Sequence, residues 1–211
     1  MIVPKDPPRY ILGGFFMAAA FVLGNGISRQ AVDLHVLANC GTIYGCNAIY
    51  REFTPHVLIS TDAPISTAIQ NSGYSHDHVH YTRKPLPNLG ARRISQQYFG
   101  YSSGPIAVAQ AALDQHQVIY LLGFDMGPTR TGRFNNVYAD TEHYKKSSSA
   151  PTYTGNWVRQ LCTVMKDFPK VSFYRVRGDT TAEIKDFAKV SNLAHMPMTD
   201  FLNRINNKKD F

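Results

Sequence analysis

The chain has 211 residues, 44% of them hydrophobic, so one domain with a buried core is the expectation. Its 22 Lys and Arg outweigh 15 Asp and Glu. The net charge of +7 favours an anionic partner without choosing among a nucleotide, a phosphorylated small molecule, nucleic acid or a membrane surface. Three cysteines, Cys40, Cys46 and Cys162, are odd in number and lack C-x-x-C spacing. They speak against a disulfide scaffold and a zinc site, and for reduced thiols in a cytoplasmic compartment.

In chain order, residues 1–16 read as an N-terminal extension and residues 17–211 as a single domain. The apolar stretch 10–24 follows Lys5 and Arg9, which invites a signal-peptide reading. It is shorter than the roughly 20 residues that span a bilayer, and it runs straight into a glycine turn. Residues 18–23 (AAAFVL), ended by Gly24-Asn25-Gly26, suit a strand buried on both faces. Ser28 then reads as the cap of a helix over 29–37. Strands are expected over 42–44, ending at Gly45-Cys46-Asn47, and over 56–60, ending at Thr61-Asp62. A helix over 64–72 and a short strand over 79–81 follow. Residues 84–93 form a basic, proline-containing connection. An alanine-rich helix spans 104–115, with Pro105 in its first turn. Residues 118–122 (VIYLL) are the clearest strand, ending at Gly123-Phe124-Asp125. A long polar segment, about 126–155, reads as a mobile lid. A helix over 156–167, a strand over 171–176 and a helix over 198–205 complete the chain.

Alternating strands and helices imply a single α/β, Rossmann-like domain whose mainly parallel, twisted sheet is flanked by helices. Ligands of such sheets sit beyond the carboxyl ends of the strands, where the short polar groups of this chain converge. Gly24, Asn25 and Gly26 lie between strand and helix, where glycine permits close backbone approach and a helix N-terminus attracts anions. The turn lacks the third glycine of a dinucleotide fingerprint, and no phosphate-binding G-x-x-x-x-G-K-[ST] loop occurs. Ser28 at the same turn, Asn47, Ser102, Ser103, Gly104 and Asp125 complete the expected nucleotide contacts. Asp62, at another strand end, suits a substrate or a metal. His143 is the candidate general base, and Lys145, Lys146, Arg130 and Arg133 are the lid cations that would neutralise phosphate. His76, His78 and His80 alternate, a weak metal pattern. Arg92 and Arg93 near Tyr98, Phe99 and Tyr101 raise nucleic-acid binding as a minor reading without a recognised motif.

The ordered set Leu-Gly-Asn-Gly-Ile-Ser, Tyr-Gly-Cys-Asn-Ala-Ile-Tyr, Ser-Ser-Gly with its alanine-rich helix, and Ile-Tyr-Leu-Leu-Gly-Phe-Asp resembles a bacterial superfamily. It contains CMP-sialic-acid-dependent sialyltransferases of the Campylobacter type, motility-associated-factor glycosyltransferases, and proteins similar to archaeal 6-hydroxymethylpterin pyrophosphokinase. The resemblance spans residues 21–176 and extends to compact phage-encoded members, which would act in the host cytoplasm. It implies a metal-independent glycosyltransferase for a CMP-type nucleotide sugar. Asn25 and Gly26 would then contact phosphate or ribose, and Asn47 ribose or base. Ser102, Ser103 and Gly104 would line the nucleotide pocket, and His143 would act as the base. Tyr138 and Tyr144 are the nearest matches to the paired lid tyrosines of the sialyltransferases. The pyrophosphokinase branch implies instead a magnesium-dependent transfer to a pterin-like alcohol through Asp62 and Asp125. A non-catalytic nucleotide or nucleic-acid binder is the third reading. Self-association as a homo-oligomer stays open.

Overall fold

In the computed structural model, residues 19–207 are described; the expected extension over 1–16 lies outside them. The strands in chain order are β1 (Ala20–Leu23), β2 (Thr42–Cys46), β3 (Val57–Ser60), β4 (His80–Thr82), β5 (Arg92–Arg93), β6 (Val118–Leu122), β7 (Ser172–Arg177) and β8 (Leu193–Pro197). The helices are α1 (Leu34–Ala38), α2 (Ala63–Asn71), α3 (Tyr74–Asp77), α4 (Ser103–Leu113), α5 (Gly155–Asp167) and α6 (Met198–Asn206). All strands pair in parallel in one sheet, ordered β5-β4-β3-β2-β1-β6-β7-β8. The order reverses between β1 and β6, so the crevice beyond their ends is the topological switch point of the sheet.

Side chains of β1 alternate between two cores, which is why the run had to be apolar throughout. Ala20 and Val22 pack with α4 and α5; Phe21 and Leu23 pack with α1, α2 and α6. The Phe21 ring stacks on Tyr120 at 5.5 Å and meets Phe201 edge-on at 6.0 Å. Helix α4 carries the chain back from β5 to β6, lying between the sheet and α5. Its small residues Ala107, Ala109, Ala111 and Ala112 are all buried there, which explains the alanine content. On α5, Val158, Leu161, Val164 and Met165 recur at helical spacing on one buried face.

Four expectations change. The helix expected over 29–37 splits into a 3-10 turn, Ile27–Ala31, and the short α1. Asp33, not Ser28, is the cap: its carboxylate accepts from the amides of His35 (2.8 Å) and Val36 (3.2 Å). The basic connection hides β5, a two-residue edge strand of exposed arginines. Strand β8 was not expected, because Leu-Ala-His-Met-Pro at a sheet edge stays largely exposed and carries no apolar run. Segment 126–154 has neither helix nor strand. It is nonetheless fastened over the strand ends: the amide of Val137 donates to the carbonyl of Asn25 at 2.8 Å, and Phe134 and Tyr138 are buried. No helix among the described residues is long and apolar enough to cross a membrane.

Candidate functional site

The turns after β1 and β6 interlock at the switch point. The amides of Gly24 and Gly26 donate to the carbonyls of Leu122 and Gly123, each at 2.8 Å. A Cβ on Gly24 would lie 2.6 Å from the Gly123 carbonyl oxygen, and one on Gly26 would lie 2.5 Å from Asp125 Cγ. These glycines are therefore dictated by the neighbouring turn, not by the approach of a ligand alone.

Asp125 knots that turn together. Its buried carboxylate accepts from the amide of Ser28 at 3.1 Å, Asn135 Nδ2 at 3.1 Å, Thr180 Oγ1 at 2.6 Å and Thr181 Oγ1 at 3.4 Å. The Ser28 hydroxyl donates to it as well. Beneath it, the guanidinium of Arg175, 1% exposed, donates to the carbonyls of Phe124, Asp125 and Ala182, each at 2.9 Å. Burial pulls the Arg175 pKa down to about 10. Two expectations are corrected here. Ser28 does not line the pocket, since its polar groups face Asp125. Asp125 reaches the pocket wall, but its oxygens are engaged by protein donors and not available to a metal.

On the other side of the switch, Ser103 Oγ donates to Asn47 Oδ1 at 2.9 Å. It also accepts from the amide of Thr61 at 3.1 Å and contacts Thr61 Oγ1 at 2.9 Å. The Ser103 hydroxyl, on the pocket wall, thus orients Asn47. Asn47 Nδ2 has no protein partner among the described residues, and it belongs to a pocket-lining side chain. The amides of Ser103 and Gly104, in the first turn of α4, have no partner within the helix. Asp62 lines the same space from the start of α2, exposed and without a capping hydrogen bond.

These groups enclose a pocket of about 360 Å³. Gly24, Asn25, Gly26, Asn47, Asp62, Ser102, Ser103, Gly104 and Asp125 line it, and segment 126–154 adds His143, Tyr144 and Lys145. His143 and Asn47 both take left-handed backbone conformations, at φ +71° and +54°, as does Met126 at +54° on the same wall. Such strain costs on the order of 1 kcal/mol per residue and concentrates at functional sites. Arg51 Nη1 donates at 3.4 Å to Thr141 Oγ1 and to the carbonyl of Glu142, pinning the turn that presents His143. The Tyr144 hydroxyl accepts from Asn25 Nδ2 at 3.5 Å and from the amide of Ala48 at 3.4 Å, and burial pushes its pKa up to about 12.

Other expected residues fall elsewhere. Of the four lid cations only Lys145 lines the pocket; Arg130 pairs with Asp179, and Arg133 donates to the carbonyl of Ser148. Tyr138 lies outside the pocket. Its hydroxyl accepts from Arg29 and donates to Glu52, both at 2.6 Å. His80 is buried between the hydroxyls of Ser60 and Ser75 at 2.7 Å each, whereas His76 and His78 are exposed at the end of α3. The histidine trio therefore shares no face, and no group of three or more potential ligands among the described residues is placed to hold a metal. Tyr98 is buried, so the residues near Arg92 and Arg93 form no open aromatic strip. Sequence reasoning missed Arg29, Glu52, Asn135, Trp157 and Arg175. Only Arg175, a charge at an inward-facing place in an apolar strand, carried a signal.

No protein-family model matches the chain, and no curated protein matches it in sequence. Solved structures do match. The monofunctional α-2,3-sialyltransferase Cst-I from Campylobacter jejuni aligns over 96% of this chain and 98% of its own, at TM-score 0.56 and 12% identity. The sialyltransferase CST-II, in complex with a trisaccharide acceptor and CMP, aligns over 83% of this chain and 86% of its own, at TM-score 0.50 and 14% identity. The chain therefore has a sialyltransferase-like fold.

Proposed function

We propose that this chain transfers a sugar from a nucleotide-activated donor of the CMP-sugar type at the C-terminal edge of its sheet. One observation carries the reading: the switch-point pocket unites Asn25, Asn47 and the start of α4 with His143 and Lys145 from the overlying segment. The fold of a sialyltransferase crystallised with CMP and a trisaccharide supports it.

His143 takes the proton of the acceptor hydroxyl. The acceptor oxygen forms the new bond at the anomeric carbon. The bond from that carbon to the phosphate oxygen breaks, and its electron pair leaves on the nucleotide. Lys145 and the amides of Ser103 and Gly104 meet the charge on the leaving phosphate. Segment 126–154 opens to admit the donor and closes to exclude water. Magnesium-dependent pyrophosphoryl transfer fits these residues poorly: Asp125 is engaged by protein donors, which leaves Asp62 alone among the lining acids.

A melting-temperature screen with CMP, UDP, GDP, ATP and S-adenosylmethionine tests the ligand, since a ligand that binds only the native state raises the melting temperature. CMP is expected to give the largest shift, with or without magnesium. His143→Ala is expected to keep that shift and lower turnover about 10²-fold or more. Unchanged turnover removes His143 from the chemistry, and activity lost to EDTA revives the magnesium-dependent alternative. Tight nucleotide binding without turnover across a donor panel makes the chain a non-catalytic binder.

A further inference from the structure

The two edges of the sheet treat their cations differently. Toward the β8 edge they are answered: Arg177 pairs with Glu183 and Lys189 with Asp186. At the β5 edge they are not. Between Asp77 and Asp114 the sequence holds Arg83, Lys84, Arg92 and Arg93 and no acid. Asp77 lies before β4 begins, and Asp114 accepts from Tyr44 at 2.7 Å and Gln110 at 2.9 Å. Arg83 is engaged within the fold, donating to the carbonyls of Phe99 at 2.8 Å and Tyr101 at 2.6 Å. Lys84, Arg92 and Arg93 are exposed and have no ion pair among the described residues. Arg92 stands opposite Tyr81 and Arg93 opposite Thr82 in the β4–β5 ladder, so the two guanidinium groups straddle the edge on opposite faces.

Arginines on an edge strand discourage pairing with another sheet, and that role alone would explain Arg92 and Arg93. It does not explain the turn beside them, residues 85–91 (PLPNLGA). The turn is held firmly. Gln70 of α2 donates to the carbonyl of Lys84 at 3.3 Å and accepts from the amide of Leu86 at 2.7 Å. A Cβ on Gly90 would lie 2.3 Å from the Ser75 carbonyl oxygen, so the turn also presses on α3. Yet Leu86 and Leu89 are only half-buried, and they pack against neither core of the described residues. Two leucines outside the core beside three unanswered cations combine apolar anchorage with attraction for a negative surface. Nucleic acid would use the cations and leave the leucines, and Tyr98, which could stack a base, is buried. An anionic bilayer uses both.

We propose that the β5 edge and the turn over 84–91 form a docking surface for an anionic lipid bilayer. Lys84, Arg92 and Arg93 meet the lipid phosphates, and Leu86 and Leu89 enter the headgroup layer. This surface stands apart from the transferase reading and is tested without a nucleotide.

Co-sedimentation of the full chain with vesicles provides the test. Vesicles of equal parts phosphatidylcholine and phosphatidylglycerol are expected to bind it saturably at physiological ionic strength, and phosphatidylcholine alone is not. Each cation near an anionic surface contributes about fivefold, so Arg92→Gln combined with Arg93→Gln should bind about 25-fold more weakly. Both side chains are exposed, so this variant should keep the melting temperature of the parent. Leu86→Ser combined with Leu89→Ser should weaken binding about tenfold and leave its salt dependence unchanged. Lys185→Gln combined with Lys189→Gln removes the same charge near the other edge and should stay within about twofold of the parent. Three results overturn the proposal. The parent ignores the mixed vesicles. The arginine variant binds as the parent does, or loses no more than the Lys185 and Lys189 variant, which leaves Arg92 and Arg93 as guards of the edge. Or the parent binds DNA more tightly than vesicles at the same salt and the leucine variant keeps that binding, which makes the edge a nucleic-acid surface.

Discussion

Replacing Asp125 separates a structural acid from a ligand-binding one. Its carboxylate is 3% exposed and accepts hydrogen bonds from one amide, one carboxamide and three hydroxyls, gathered from residues 28, 135, 180 and 181. In Asp125→Ala those donors lose their acceptor inside the protein. Each orphaned donor costs about 1–3 kcal/mol, but the hydroxyls can rotate to other partners. The amide of Ser28 and the amide nitrogen of Asn135 cannot, so a total of about 4 kcal/mol is expected. Asp125→Asn is milder. With its oxygen at the Oδ2 position it keeps Ser28 N, Asn135 and Thr180. Its new NH₂ then faces the hydroxyls of Ser28 and Thr181, which can accept. It loses mainly the charge assistance, about 1 kcal/mol per strong bond, or about 2 kcal/mol in all. Urea unfolding measures both, with the midpoint falling at unchanged slope. In a chain of this size the alanine variant should melt on the order of 10 °C lower. If Asp125→Ala stays within about 1 kcal/mol of the parent while nucleotide binding disappears, the carboxylate serves the ligand and the structural argument is wrong.

Three further outcomes follow from single contacts. His80 is held neutral, its pKa pulled from 6.5 to about 4 by burial. Its contribution to stability is complete above pH 6.5, where folded and unfolded states are both neutral. As pH falls toward 4 the unfolded state binds the proton first, and on the order of 3 kcal/mol is lost. His80→Gln should flatten this part of the stability-against-pH curve; an unchanged slope would mean that another group sets it. Tyr138→Phe removes the hydroxyl shared by buried Arg29 and Glu52, and should lower stability by about 1–3 kcal/mol in urea unfolding. A neutral effect would show that water replaces it. Gly26→Ala drives a Cβ to 2.7 Å from the Gly123 carbonyl oxygen, which is backbone and cannot rotate away. A loss of about 1–3 kcal/mol is expected, together with a smaller nucleotide melting shift; a fully stable variant would show that the two turns are not locked together.

The strands at the centre of the sheet were legible because burial on both faces forces continuous apolarity, and glycine marks where it stops. That logic found β1 and β6 and hence the pocket between them. It fails at the edges, where β5 is two exposed arginines and β8 is half-exposed. Composition also told which residues collect at the strand ends, but not what each one faces. Ser28 and Asp125 were both assigned to a ligand; the structure bonds them to each other, across 97 positions of sequence, and leaves only Asp125 on the pocket wall. Nothing local in either residue records that partner. The alternation of His76, His78 and His80 implied a shared face only if all three lay on one strand. Helix α3 ends at Asp77 and β4 begins at His80, so the premise fails. Trp157 escaped because a lone tryptophan in an amphipathic helix reads as core.

The charge of the pocket wall bears on which phosphate it suits. Arg29 is answered by Glu52 and the Tyr138 hydroxyl, Arg175 by three carbonyls, and Asp125 by five donors. Arg29 is opposed by Glu52, and Arg175, which lies beneath Asp125, is opposed by that carboxylate, so these pairs together add little net charge to the pocket. What remains is one lysine, Lys145, the first-turn amides of α4 and the side-chain amides of Asn25 and Asn47, opposed by Asp62. Lys145 and Asp62 offset one another, so what meets an anion is the partial positive charge of the amides and the α4 N-terminus, about half a charge, which on the transferase reading proposed above suits a single phosphodiester better than a pyrophosphate. A pyrophosphate-linked donor carries one more negative charge and finds no further cation on the wall. Among the described residues the cations therefore stand almost wholly outside the pocket, and on the transferase reading proposed above discrimination against a pyrophosphate-linked donor would rest on how few charges line it.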